Sequence, residues 1–326
     1  MDDPVLRVQS QLTDRDRVLL GWLYDHGVLT SFQIAHALFP SLDFCQRRLR
    51  TLHQLRLVAR FRPQRADGGS YPYHYVIDQL GAEVIAASRD ERPPRRDHAR
   101  TERRRWTSTR TLTHRLGVNS FFTDLAGHAR THPGTELRQW WSEAACARSG
   151  AFTTADDPGL VRAYQPRVRP DGYAVWAENG TVVPVFVEFD TGAEQLSVLV
   201  DKIFGYRDLF VTIGRVWPVL FWLPSAARER NLRRLLADTP TGTGRHQRPR
   251  PHHRTLPRRA GLGNPARQRP APRRPRRVRL CQPARPVTET GRLSRSPLVD
   301  RVVTDLDPFH RQTSELSSPS SRKATP

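Results

Sequence analysis

The chain is almost without lysine: two among 326 residues, Lys202 and Lys323, against 51 arginines. Such a skew points to a GC-rich coding sequence rather than to selection for guanidinium chemistry. Cysteine is as scarce, and Cys45, Cys146 and Cys281 lie far apart with no Cys-x-x-Cys pair. That argues against a zinc site and a disulfide scaffold and suits a reducing compartment. There is no run of eighteen apolar residues and no basic-then-apolar leader pattern. A soluble, cytoplasmic chain with no membrane partner is therefore expected. A phosphate-cradling Gly-rich loop, a dinucleotide motif and a Ser/His/Asp arrangement are missing too.

Positive charge, by contrast, is plentiful, with a formal net charge of +21. Residues 241–326 hold 20 Lys and Arg against 5 Asp and Glu, while the preceding 240 residues hold 33 against 27. The part expected to fold is thus only mildly basic. The tail also carries 13 of the 27 prolines and shows no apolar periodicity. A segment of that kind buries too little surface to offset its ordering entropy, so 241–326 is expected to be disordered. The helix before it stops at Leu236-Ala237-Asp238 without the strand an α/β domain needs next. An abrupt Arg/Pro/Ala-rich onset is what a shifted reading frame in GC-rich DNA produces. Translating the other frames downstream of codon 240 tests that idea.

Within 1–88 the pattern predicts helices over 13–26, 31–39 and 41–55, a hairpin from 57–61 and 73–77, and a closing helix over 78–88. Thr13 with Asp14 and Asp16, Thr30 with Gln33, and Ser41 supply the helix starts. In the third helix Phe44, Leu49, Leu52 and Leu55 are expected to face inward. Gln46, Arg47, Arg50 and His53 recur at helical spacing on the opposite face. This is the layout of a winged helix-turn-helix, with the third helix as the recognition helix. Gln46, Arg47, Arg48, Arg50 and His53 are the side-chain types that reach phosphates and base edges in a major groove, and Arg60, Arg62 and Arg65 in the wing could grip the adjacent backbone. Double-stranded DNA is the partner this implies. The competing reading is a solvated arginine face on a protein-binding module.

Residues 89–110 are charged, contain Pro93-Pro94 and read as a linker. Over 111–240 the pattern gives a helix (112–132), a strand (137–141) and an irregular insertion (144–166). A hairpin (171–176 and 182–190) follows, turning at Glu178-Asn179-Gly180, and then a helix (193–210), a strand (216–223) and a helix (225–237). The unbroken apolar run around Val183, Val185, Phe186 and Val187 suits a central strand buried on both faces. The expected fold is an α/β domain with a mixed central sheet, giving an α+β chain as a whole.

The chemistry, if there is any, lies in Arg169-Pro170-Asp171-Gly172-Tyr173 and Glu188-Phe189-Asp190. Acids entering one strand and leaving the next meet at one end of a hairpin, which is how hard divalent cations such as Mg²⁺ are held. Asp171 and Glu188 are the candidate ligands, with the Phe189 carbonyl third and Glu143 fourth. A metal there would polarise a scissile phosphate and lower the pKa of an attacking water. A nuclease would carry lysine where Asp190 stands. Lys202, in a helical stripe with Gln195, Leu199 and Tyr206, could reach the site instead. The bland alternative is that Lys202 salt-bridges Glu188 or Asp190 and only fixes the fold. His114 and Asn119 read as capping or buried hydrogen-bonding residues, and Trp140-Trp141 as core or junction.

Taken together, several segments resemble the replication-relaxation family of actinobacterial plasmids and integrative elements. They are Leu12-Thr13-Asp14 through Leu38-Phe39-Pro40, Arg48-Leu49 through Leu57, Pro72-Tyr73-His74-Tyr75, His114-x-x-x-x-Asn119, Trp140-Trp141-Ser142-Glu143, and the two acidic segments, the second extending to Gly192 and Glu194. The resemblance runs over about residues 12–237. It implies a winged helix joined to a restriction-endonuclease-like domain, with a role in plasmid replication and DNA relaxation, and an acid at the position of Asp190 as a family trait. Three functions remain open: a non-catalytic DNA-binding protein of a mobile element, an Mg²⁺-dependent nickase using Asp171, Glu188 and Lys202, and a transcriptional regulator dimerising through its second domain. Replication or transfer proteins are further partners this reading admits.

Overall fold

A computed structural model describes residues 3–63, 70–106, 109–238 and 278–279. Arg65, and the tail apart from 278–279, lie outside the described residues. The N-terminal half runs α1 (Pro4–Gln9), α2 (Asp14–His26), β1 (Val28–Thr30), α3 (Ser31–Leu38), α4 (Leu42–Gln54), β2 (Val58–Phe61), β3 (His74–Ile77) and α5 (Gln79–Ser88). Local chemistry sets the helix starts. Thr13 and Asp16 form one capping box, Thr30 and Gln33 another, and the Ser41 hydroxyl accepts from the Phe44 N–H. Gly27, at φ +83°, ends α2, and a Cβ there would lie 2.2 Å from the Trp106 ring, so the site needs glycine.

The three short strands form an antiparallel sheet in the order β1-β3-β2. One sheet face carries Leu29, Val58, Tyr75 and Ile77 into a core with Leu19, Leu20 and Leu23 of α2, Ile34 of α3, and Leu49 and Leu52 of α4. In α4 the inward stripe is Cys45, Leu49 and Leu52, and Phe44 is 46% exposed, against the inward placement expected for it. The reason is position: Phe44 flanks that stripe and packs against Phe39, at 6.2 Å between ring centroids.

The stretch 89–110 is more than a linker. It contains α6 (His98–Arg105), and Trp106 is buried against Val28, Ala59, Val76 and Leu112 on the outer face of the small sheet. Both faces of that sheet are therefore covered. The C-terminal half continues with α7 (Thr109–Thr131), β4 (Thr135–Ser142), α8 (Glu143–Cys146), α9 (Gly159–Arg162), β5 (Gly172–Glu178) and β6 (Thr181–Phe189). Then come α10 (Leu196–Ile213), β7 (Val219–Trp222), α11 (Ala226–Ala237) and β8 (Val278–Arg279).

The second sheet is mixed, ordered β4-β5-β6-β7-β8, with β6 and β7 parallel and the other neighbours antiparallel. The hairpin β5–β6 turns on Asn179 and Gly180, both at positive φ (49° and 82°) as a tight two-residue turn requires. Alternate residues of β5 and β6 face opposite layers. Ala174, Trp176, Val185 and Val187 meet Val118, Phe121, Phe122 and Leu125 of α7. Tyr173 and Phe186 meet Leu199, Tyr206, Leu209 and Phe210 of α10. Burying a ring such as Phe122 or Phe186 contributes roughly 2–3 kcal/mol, so both layers hold the sheet firmly. The 144–166 insertion joins this core through Cys146 and Phe152. No strand was expected after α11, yet Val278 and Arg279 of β8 pair with Phe221 and Leu220 of β7.

Helix α7 belongs to both halves. Asn119 Nδ2 donates to Val28 O at 2.7 Å and to His26 O at 3.3 Å, and Gln33 Nε2 donates to Leu116 O at 2.9 Å. His26 stacks on Trp140 at 3.7 Å, and Trp22 and Phe122 pack against the same indole. Among the described residues no helix is long and apolar enough to cross a membrane.

Candidate functional site

The acids come together because of strand register. Pairing of Gly172 with Val187 brings Asp171, just before β5, opposite Glu188 near the end of β6. Pleating turns Glu188 toward α10 while Val187 faces α7. Lys202 and Tyr206, four residues apart on α10, share one face and both reach Glu188. Tyr206 donates its hydroxyl to Glu188 Oε1 at 2.5 Å, and Lys202 Nζ donates to Glu188 Oε2. Lys202 Nζ also lies 3.9 Å from Asp171 Oδ1. The other Asp171 oxygen accepts from the Phe189 N–H at 2.8 Å and meets His114 Nε2 at 3.2 Å.

Electrostatics follow the burial. Glu188 is 1% exposed; burial first, and the Asp171 charge next, push it up to about 8, against the pull of Lys202 and Tyr206. Burial also opposes ionisation of Asp171, but the His114 hydrogen bond and the Lys202 charge outweigh it and hold the carboxyl below its ordinary value. The hydrogen bond to Asp171 raises His114. Burial works against the Lys202 ammonium, yet Glu188 and Asp171 together keep it above the usual lysine value. Burial drives the Tyr206 hydroxyl well above its normal range, so it acts as a donor.

Two further acids leave this group. Asp190 is 6% exposed and is gripped by Arg228 of α11 through Nε and Nη2, while the Gly192 N–H donates to it at 2.8 Å. Its charge is neutralised away from Glu188. Glu143, at the start of α8, lies 3.7 Å from Arg115 Nη2. Arg115 is largely buried, which lowers its pKa, while Glu143 and Asp171 act to raise it. The guanidinium thus pairs with Glu143 and also feels the Asp171 charge.

The arrangement does not fit the Mg²⁺ expected at Asp171, Glu188 and Glu143. Both Glu188 oxygens already accept hydrogen bonds, Asp171 Oδ2 has two partners, and an ammonium occupies the position a cation would take between the carboxylates. Among the described residues no group of three or more His, Cys, Asp or Glu side chains could hold a metal ion. The sequence pattern located Asp171, Glu188 and Lys202, put Tyr206 in the Lys202 stripe without a role, read His114 only as a capping or buried hydrogen-bonding residue, and passed over Arg115 and Arg228. The i, i+4 spacing of Tyr206 from Lys202 was a usable signal. Nothing local to Arg228 announces Asp190, 38 residues away.

On the N-terminal half, Gln46, Arg47 and Arg50 lie exposed along α4. Arg47 makes an i, i+4 pair with Asp43, at 3.0 Å, and is 63% exposed. Arg48 differs: its guanidinium spans Asp16 at 2.9 and 2.6 Å and donates to Gln11 O at 2.8 Å. His53 is turned to the Val58 carbonyl at 3.0 Å. Both residues are engaged inside the fold rather than offered outward. Arg60 and Arg62 sit over the Tyr73 ring at 4.4 and 4.2 Å, and neither has an acidic partner among the described residues.

No curated protein and no solved structure matches the chain. A family model described as "Replication-relaxation" matches residues 20–220. That span takes in the arginine face of α4, the β2–β3 hairpin and the Asp171–Glu188–Lys202 group, and stops short of Arg228. With well over half its length inside the match, the chain belongs to the replication-relaxation family.

Proposed function

We propose that the protein is a DNA-binding protein of a plasmid or integrative element, acting in its replication, relaxation or their control. Residues 1–88 serve as a winged helix-turn-helix, with α4 as recognition helix and β2–β3 as wing. Residues 111–240 serve as a restriction-endonuclease-like domain that contributes contacts rather than cutting. The observation carrying this reading is the exposed stripe Gln46, Arg47 and Arg50 on α4, together with Arg60 and Arg62 on the neighbouring hairpin. Phosphates attract such a surface in proportion to the charges it presents. Arg47→Ala with Arg50→Ala should weaken duplex binding strongly at fixed salt without shifting the melting temperature. Unchanged affinity would sink the proposal.

One observation favours a second reading, an Mg²⁺-dependent nickase: Lys202 reaches both carboxylates from α10. That reading requires the ammonium to leave Glu188 before a metal could enter. Incubating supercoiled plasmid with the wild-type protein, with and without Mg²⁺, decides between them. Metal-dependent nicking that Asp171→Ala removes would replace the first reading with the second.

A further inference from the structure

The α4 face has a feature that duplex binding does not use. Phe32 of α3 and Phe44 of α4 are 49% and 46% exposed, while Ile34 of α3 and Leu49 and Leu52 of α4 are fully buried. Ser31, beside Phe32, donates its N–H to the Tyr73 carbonyl at 2.9 Å, and its own carbonyl accepts from the Cys45 thiol, beside Phe44, at 3.9 Å, so Phe32, Phe44 and Tyr73 stem from adjoining backbone. The chemistry around them says what this face takes. Arg47, one turn on, holds its guanidinium 5.9 Å from the Phe44 ring, and Arg60 and Arg62 share the Tyr73 ring. Two guanidinium groups gathered on one ring offer their charge together to an anion. Rings alternating with arginines match a ligand in which flat apolar groups alternate with negative charges. An apolar protein surface would leave those arginines unpaired. A paired duplex hides its base faces by stacking, whereas an unpaired strand exposes them.

We propose that this face takes an unpaired DNA strand, stacking bases on Phe32 and Phe44 and holding phosphates with Arg47, Arg60 and Arg62. The inference rests on the DNA-binding reading above and sharpens its substrate to melted or single-stranded DNA. Recognition is by stacking and charge, so it tolerates many sequences and weakens with salt.

The test uses the full chain and fluorescence anisotropy with a labelled single strand, and separately with the duplex of the same sequence, at one ionic strength. Phe32→Ala with Phe44→Ala should weaken single-strand binding about tenfold, leave duplex binding within about twofold, and leave the melting temperature unchanged because both rings are exposed. Phe44→Tyr, which keeps a stacking ring, should retain strand binding. Equal losses on strand and duplex, no loss on the strand, or tighter binding of the matching RNA strand would each overturn the inference. Wild-type protein that binds duplex and not strand overturns the inference and leaves the DNA reading standing. Protein that binds neither overturns both.

Discussion

At the residue scale, Lys202 is the most informative side chain. It is the only lysine ahead of residue 241, and it neutralises two acids that the sheet register forces together. Buried ion pairs add little net stability when intact, but breaking one leaves a charge stranded, at a cost of about 3–5 kcal/mol. Lys202→Met should therefore lower unfolding free energy by about that amount above about pH 8, where Glu188 is ionised, and by less near neutral pH, where it holds its proton, read from urea denaturation at both pH values. Adding Glu188→Gln to the same protein should recover most of the loss, since the stranded carboxylate is then gone. If Lys202→Met unfolds like the wild type, the ammonium is not the counter-charge the geometry indicates. Asp190 is neutralised separately by Arg228, so the acid standing where a nuclease has lysine places no extra negative charge beside Glu188.

At the scale of elements, α4 carries two kinds of arginine that look alike in sequence. Arg47 and Arg50 lie on its outer stripe, while Arg48 is drawn into a bidentate pair with Asp16, whose other contacts close the Thr13 capping box of α2. Charge-assisted, bidentate bonds to a buried acid belong to the stability of the helix pair. Arg48→Ala should lower the melting temperature and leave the salt dependence of DNA binding unchanged. The Arg47 and Arg50 double variant should show the reverse, with the slope of log affinity against log salt falling by about 1.8, near 0.9 per lost phosphate contact. Matching slopes for the two proteins would refute this division of labour.

At the scale of the whole molecule, the two halves are joined by α7, Trp106 and a stack of His26 on Trp140. His26 is 3% exposed, and burial first, then the charges of Arg115 and Arg89, press its pKa well below the usual imidazole value. A depressed histidine pKa means the unfolded chain binds the extra proton. The contribution of His26 to stability is thus complete above about pH 6.5 and is lost as pH falls below it. His26→Phe keeps a stacking ring and removes the proton. Its melting temperature should gain on the wild type as pH drops from about 7 to about 5, and a constant difference across that range would contradict the assignment.

Much of this was written along the chain. Helix starts were legible from Thr13, Thr30 and Ser41 because capping is local chemistry, and the Asn179-Gly180 turn was legible because both positions need positive φ. The central position of β6 was legible in its unbroken apolar run, and Asp171, Glu188 and Lys202 were found as a set. The sequence did not show which partner each charge would take. Arg48 and Arg47 are adjacent and chemically identical, and only the packing of α4 against α2 sends one inward. Arg228 meets Asp190, and His114 meets Asp171, across separations of 38 and 57 residues, where no periodicity operates. Nor did spacing reveal that the segment ending at Trp106 would fold over the small sheet, since a buried Trp106 acquires its meaning only once Val28, Ala59 and Val76 line up beside it. Local hydrogen bonding and hydrophobic period fixed the elements, while the pairing of charges waited on strand register and helix packing, which bring distant residues within reach of one another.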